Sequence, residues 1–318
     1  MTGQAVLAAR ADVPVRSSLA GGIGVGLVAA SIGALYSVFA RWGLGHGLHS
    51  ADLTFLRFAV AGTVMLPVLA WSLRRDARAL LAQWRAWLAV SVLAGPIFGL
   101  LMFTGLEWAP ASHIAVFPFT AMSVMGTVMS AWALGERLTA RKLIGIGVVI
   151  AGLVTLSGFT LASLRGPALV GDALFIAAGT LWAGFGIVMR KNRLDALQAT
   201  AVISFAALCT YVPLYLWSVG VTRLLAAAPS ALWTEVLVQG LIAGAGTLYS
   251  YSKMVELLGA ARAAVFPALA PGLAALLAWP VLSHVPEPFE ALGLVIAVLG
   301  LIITVTGARR RPQLETPA

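Results

Sequence analysis

Apolar residues along this chain come in runs longer than most soluble core helices need, each bounded by charge, proline or glycine. The runs fall near 19–40, 52–72, 86–107, 111–134, 140–158, 169–189, 197–218, 236–257, 260–283 and 288–307. Each is long enough to cross a hydrocarbon core of about 30 Å as an α-helix. Very short turns separate helices 3 and 4, and helices 8 and 9, so the pattern fixes those ends least. Ten crossings with short loops use nearly the whole chain and leave no sizeable aqueous domain. The expected fold class is an all-α integral membrane protein of ten transmembrane helices.

Composition agrees with the pattern. Of 318 residues, 60% are hydrophobic and 10% charged, against about 25% charged in an ordinary soluble domain, and the mean hydropathy is +0.94. A soluble fold could not hide that much apolar surface. The net charge of +9 raises the question of a nucleic-acid partner, and its placement answers it. With both termini cytoplasmic, one face gathers 17 of the 21 Lys and Arg, in clusters such as Arg74, Arg75, Arg78 and Arg85, Arg190, Lys191 and Arg193, and Arg309, Arg310 and Arg311. The other face holds Arg41, Arg165 and Arg223, while Arg57 lies inside helix 2. This asymmetry sets orientation in a plasma (inner) membrane and spreads the charge over a membrane face, leaving no groove for nucleic acid. The segment 1–18 has Arg10 and Arg16 without a continuous apolar run, so the first helix reads as retained. Cys209, the one cysteine, reads as a small residue in an apolar stretch.

An internal repeat is also visible. A shift of 149 residues lays Glu107 on Glu256, His113 on Arg262, and Val116-Phe117-Pro118 on Val265-Phe266-Pro267. A shift of 146 pairs Leu35-Tyr36 and Phe39 with Leu181-Trp182 and Phe185, and a shift of 148 pairs Gly145 and Gly152 with Gly293 and Gly300. Each half has an odd number of helices, so the second half enters the membrane upside down, the inverted repeat typical of secondary transporters. The expected organisation is a cytoplasmic tail over 1–18, five-helix repeats over 19–160 and 161–308, and a cytoplasmic tail over 309–318, with a substrate site between the halves.

The residues Leu53-Thr54-Phe55-Leu56-Arg57-Phe58 open helix 2, and Leu134-Gly135-Glu136-Arg137-Leu138-Thr139 precedes Gly145 and Gly152. In half two Gly259-Ala260-Ala261-Arg262-Ala263-Ala264 is followed by Pro267 and Pro271, then Gly293 and Gly300. With ten helices and the repeat, the chain over 19–307 resembles the EamA-type transporters of the drug/metabolite transporter superfamily. The resemblance implies a ten-helix carrier, often an exporter of amino acids or related metabolites, with a central cavity lined mainly by helices 1, 3, 4, 6, 8 and 9. One departure stands out: the acid that Glu136 supplies before helix 5 falls at His284 before helix 10, with Glu287 displaced by three positions. Glu136 reads as structural, near a helix start where a carboxylate offsets the dipole.

Several constellations offer chemistry. Tyr249, Lys253 and Glu256 share one face of helix 8 at i, i+4 and i+7, suited to a zwitterionic or anionic solute, or else Lys253 snorkels to water paired with Glu256. His113, Phe117 and Thr120 form a similar stripe on helix 4, and symmetry places Arg262 and Phe266 on the matching face of helix 9. Histidine suits proton coupling, with an interfacial role as the alternative. Glu107 and Glu256, repeat mates at opposite membrane faces, are either gating carboxylates paired with cations or solvated helix ends. Tyr36 and Trp182, with Phe39 and Phe185, offer aromatic cavity walls, packing being equally open. Arg57, about five residues into helix 2 from its external end, either reaches water there or, as an intramembrane cation, is a candidate for gating or coupling. Pro118, Pro267, Pro271 and Pro280 interrupt helices 4 and 9, and Gly95, Gly99, Gly240 and Gly244 have the GxxxG spacing of close helix contacts.

No P-loop, metal cluster or nucleophile elbow is present in the sequence, so no cofactor is expected and an intramembrane enzyme lacks its convergent groups. The expected function is secondary transport, with a small-molecule substrate, proton coupling as one drive, the bilayer as the other partner, and a homo-oligomer left open. A passive facilitator is the alternative.

Overall fold

A computed structural model of the chain describes residues 15–109, 111–158, 166–282 and 287–306. Arg10, Arg165, His284, Arg309, Arg310 and Arg311 therefore lie outside the described residues. In hydrocarbon no water satisfies backbone amides, so a chain this apolar resolves into helices, which bond every amide internally. Among the described residues, ten are long and apolar enough to cross a membrane. They are α1 (Val15–Gly45), α2 (Ser50–Ala82), α3 (Trp84–Trp108), α4 (Ala111–Leu134), α5 (Ala140–Ser157), α6 (Ala168–Asn192), α7 (Ala196–Ser218), α8 (Pro229–Leu258), α9 (Ala260–Val281) and α10 (Pro288–Thr306). A short helix, Thr222–Ala226, joins α7 to α8. The chain is a multi-pass membrane protein built as two inverted five-helix repeats.

Packing repeats the sequence symmetry. Helix α1 lies against α8 and α9, α6 lies against α3 and α4, α2 crosses α7, and α5 crosses α10. The last pair joins mates through glycine: a methyl added to Gly145 would come within 2.9 Å of the Gly300 carbonyl, and one added to Gly152 within 2.8 Å of the Gly293 carbonyl. Only hydrogen at these four positions lets the backbones approach this closely. Gly240 and Gly244 bring α8 against Val60 and the Arg57 carbonyl of α2 in the same way. The two membrane ends differ in charge. The end where α2 and α6 finish, with Arg74, Arg75, Arg78, Arg190 and Lys191, is the basic face.

The structure corrects several expectations about helix integrity. Helix α4 runs unbroken through Pro118; a proline removes one backbone hydrogen bond, and close packing of Gly179 from α6 on the Pro118 carbonyl supports the turn. Helix α9 does break, into Ala260–Ala263, a 3₁₀ turn Phe266–Leu269 and Ala270–Leu282. Pro267 stands in the first turn of the 3₁₀ piece. Pro271 is the second residue of the last piece and so starts a helix where its missing N–H is harmless. Helix α3 breaks at Gly95, whose ψ of −151° ends one helix before Pro96 starts the next. Gly95 thus breaks a helix, and Gly99 alone meets α2, against Thr54. Helix α8 is a π-helix over Val236–Ala245 and starts at Pro229, since Glu235, a polar boundary in the sequence, lies inside it. Trp71, Trp84, Trp108 and Trp233 are exposed, as suits an aromatic belt at the membrane interfaces. Trp87 is instead buried and donates to the Leu80 carbonyl at 2.8 Å.

Candidate functional site

Helices α1, α3, α4, α6, α8 and α9 meet at the bundle centre around a cavity of about 40 Å³. Its wall is aromatic, with Tyr36 from α1, Phe98 from α3, Phe119 from α4, Trp182 from α6 and Tyr251 from α8, and Pro267 of the broken α9 completes it. Trp182 is the hub, its ring centroid 4.5 Å from Phe98, 4.9 Å from Tyr251 and 5.3 Å from Phe185. Trp182 Nε1, Tyr251 Oη and Thr247 Oγ1 are buried without hydrogen-bond partners among the described residues. Buried polar atoms normally pair, so three unpaired ones around one void mark where a solute or water completes the wall. Arg57 of α2 adds charge nearby. It is 2% exposed, its guanidinium lies 5.2 Å from the Tyr36 ring centroid, and its Nε is unpaired.

Phe119 also borders a vestibule of about 430 Å³, lined by Ser37 and Arg41 of α1, Ala115 of α4, Ala275 and Ala278 of α9 and Glu290 of α10. These residues lie toward the face opposite the basic one. Toward the basic face the same helices close. A methyl on Gly126 would overlap the Ala264 methyl, one on Gly26 the Phe266 ring, and one on Gly22 the Leu258 side chain. Among the described residues no three His, Cys, Asp or Glu side chains converge on a metal-sized site.

The EamA-like transporter family matches this chain twice, over residues 20–158 and again over 169–306. The chain belongs to the EamA-like transporter family. Similar proteins include the uncharacterized transporter YetK of Bacillus subtilis (strain 168), 24% identical over 79% of this chain and 76% of YetK. An uncharacterized transporter of Archaeoglobus fulgidus is 26% identical over 84% of this chain and 91% of its own length. A solved crystal structure superposes with a TM-score of 0.68 over 93% of this chain and 99% of that one, at 20% identity, a likeness of fold. The protein is a membrane transporter.

The residues singled out from the sequence scatter over this EamA transporter. Tyr36 and Trp182 reach the cavity. Tyr249 does not: it is 43% exposed on the outer side of α8, and Tyr251 takes the inward position. Lys253 stays at the basic end, 2.7 Å from Glu256, outside the cavity wall. Phe117 is half-buried with its ring 5.5 Å from His113, while Phe119, two residues on, faces the void. On α8 and α4 the inward position belongs to a neighbour of each stripe, Tyr251 and Phe119.

The expected pairing of acids with His113 and Arg262 takes another form. His113 Nδ1 and Asp172 Oδ1 are 2.6 Å apart in a buried pair joining α4 to α6. Glu107 accepts the Ser50 backbone N–H at 2.8 Å, and Glu256 accepts the Ala196 N–H at 2.5 Å. Each repeat mate therefore caps the first turn of the second helix in its own half. Arg262 is half-buried at the start of α9 and forms no ion pair among the described residues. Glu136 pairs with Lys142 at 3.2 Å across the entry to α5. Asp52, Asp172 and Glu235 went unnoticed in the sequence, although an acid inside a membrane helix is itself a signal. Asp52 is fully buried and binds Tyr215 Oη at 2.5 Å and Arg223 at 3.0 Å, tying α2 to α7 and the short helix that follows.

Proposed function

We propose that this transporter moves amino acids or related small metabolites by alternating access, as a secondary exporter of the plasma (inner) membrane with both termini and the basic face cytoplasmic. One observation carries the mechanism. Under the 149-residue shift, Gly126 and Ala264 are the mates of Ala275 and Ala115; the first pair touches at the basic face while both members of the second line the vestibule. Two equivalent junctions, one shut and one open, are what two similar halves need to exchange roles. The seventeen-to-three charge asymmetry supports the orientation. The cavity supports the substrate class, because aromatic walls with few unpaired polar atoms suit a small solute with an apolar body and one or two polar groups.

The test is a proteoliposome uptake screen of radiolabelled amino acids and nucleosides, with and without a pH gradient. Saturable amino-acid uptake is expected, lost about tenfold or more in Trp182→Ala, where a large wall residue is removed. Uptake of nucleosides alone rejects the substrate class. In a Cys209→Ser background, Ala275→Cys should react with an impermeant thiol reagent from outside and lose reactivity during turnover. Equal reactivity of Ala275→Cys and Ala264→Cys from one side, with or without turnover, favours a passive channel.

A further inference from the structure

Glu235 lies in the first turns of α8, a helix that packs against α1, α2 and α7, and no part of its side chain is solvent-exposed. Neither of its carboxyl oxygens accepts a hydrogen bond of full geometry among the described residues. Gln239, one turn on and equally buried, is the side chain that interacts with the carboxyl; one of its Nε2 hydrogens is donated to the Tyr36 carbonyl at 2.9 Å, and its own Oε1 is unpaired among the described residues. Two side chains thus place three such oxygens on one helix face. On the α1 side Gly43 leaves the carboxyl its room, since a methyl there would lie 2.6 Å from Oε1. The neighbouring ionisable groups are engaged elsewhere. On α1 Arg41 is exposed, and His46, just past its end, hydrogen-bonds to the Trp42 carbonyl. On α2 the His49 backbone N–H and, from beyond α7, Arg223 bind Asp52, while Arg57 lies over Tyr36. On α7 Tyr211 donates to the Ala51 carbonyl and Tyr215 to Asp52. None forms an ion pair with Glu235.

An acid with this surrounding, in a protein that spans a membrane, calls for a small cation to balance it. We propose that Glu235 and Gln239 bind the monovalent cation, a proton or a sodium ion, whose gradient drives this transporter; this rests on the reading of the protein as a secondary transporter. The link to the substrate cavity is short, a single hydrogen bond. Gln239 holds the Tyr36 carbonyl, and the Tyr36 ring is cavity wall. The π-helix begins at Val236, directly after Glu235. A π segment carries one residue more per turn's worth of bonds, so reverting to α geometry turns everything beyond it, Thr247 and Tyr251 included. Binding at Glu235 is thereby positioned to select between two shapes of the cavity. The site is single: the repeat mate of Glu235 is Ala86.

Glu235→Gln keeps shape and hydrogen-bonding capacity while removing the charge. In proteoliposomes, counterflow of a radiolabelled amino-acid mixture should stay within about twofold of the parent, while accumulation under an imposed proton or sodium gradient falls about tenfold or more, because only coupling is lost. The gradient that drives the parent identifies the ion. Accumulation by Glu235→Gln equal to the parent overturns the proposal, as does a parent that catalyses counterflow but responds to neither gradient. A parent without counterflow rejects the transport reading of the substrate instead, and infrared difference spectra of the detergent-solubilised protein then decide the ion site. A carboxyl band that responds to pH or sodium and is missing in Glu235→Gln supports it, and the same spectrum in both proteins overturns it.

Discussion

At the basic face Gly126 of α4 meets Ala264 of α9, whereas at the opposite face their mates Ala275 and Ala115 line an open vestibule. The same two-residue junction is thus closed at one end of the molecule and open at the other. Elsewhere the ends agree. Glu107 caps Ser50 as Glu256 caps Ala196, and the glycines of α5 and α10 grip one another in mirrored order. The comparison teaches that contacts with backbone obey the repeat, because both halves must cap and cross the same helices. The groups able to bind something depart from it. His113 faces Asp172 where its mate is Arg262, and Glu235 has alanine as its mate.

The largest expected effect comes from breaking a contact the halves share. In Gly293→Leu the new side chain meets the Leu156 backbone, which forces α5 from α10 and costs about 3 kcal/mol or more. Size-exclusion chromatography in detergent should show aggregated or lost protein, while Gly147→Leu on the open face of α5, with nothing near its Cβ, should run as the parent. Monodisperse Gly293→Leu with an unchanged melting temperature would contradict this helix crossing.

Smaller effects are expected from the two caps. Glu107→Ala should cost about 1 kcal/mol, the value of a lost helix cap, and Glu256→Ala somewhat more because it also loses the partly exposed Lys253 pair, both read as decreases in thermal stability in detergent. Because they cap rather than gate, neither should change the thiol accessibility of a cysteine at Tyr36 from either side. A shift in that accessibility would make them gates after all.

The smallest effect sharpens the view of α8. Lys253→Met breaks a partly exposed ion pair, 38% and 25% exposed at its two ends, worth about 0.5–1 kcal/mol at most. Tyr249→Ala removes an outward ring. Both should transport at nearly the parental rate in the liposome assay, whereas a strong loss in Tyr249→Ala would place the outer face of α8 in the substrate path.

Much of the fold could be read in advance. The ten apolar runs, the odd number of helices per half and the pairings of Gly145 with Gly293 and Glu107 with Glu256 gave the crossings and their inverted order. The site was legible in part. Tyr36 and Trp182 are legible because the repeat pairs them, and Pro267 because proline removes a backbone hydrogen bond, which accompanies a break in α9 although α4 runs unbroken through Pro118. Tyr251 and Phe119 were passed over for Tyr249 and Phe117, two residues away in each case.

The amino-acid sequence by itself determined how many helices cross, the symmetry between halves, the charged face and the family, because hydropathy, charge bias and internal similarity are written residue by residue. Only the tertiary structure decided which face of each helix looks inward, that Asp172 answers His113, that Glu235 is buried without an ion-pair partner among the described residues, and which end of the bundle is shut. The reason is the solvent. In water the polar side of a helix announces its outer face, but lipid tails are as apolar as a protein core, so inward and outward faces of a membrane helix read alike until its neighbours are packed against it.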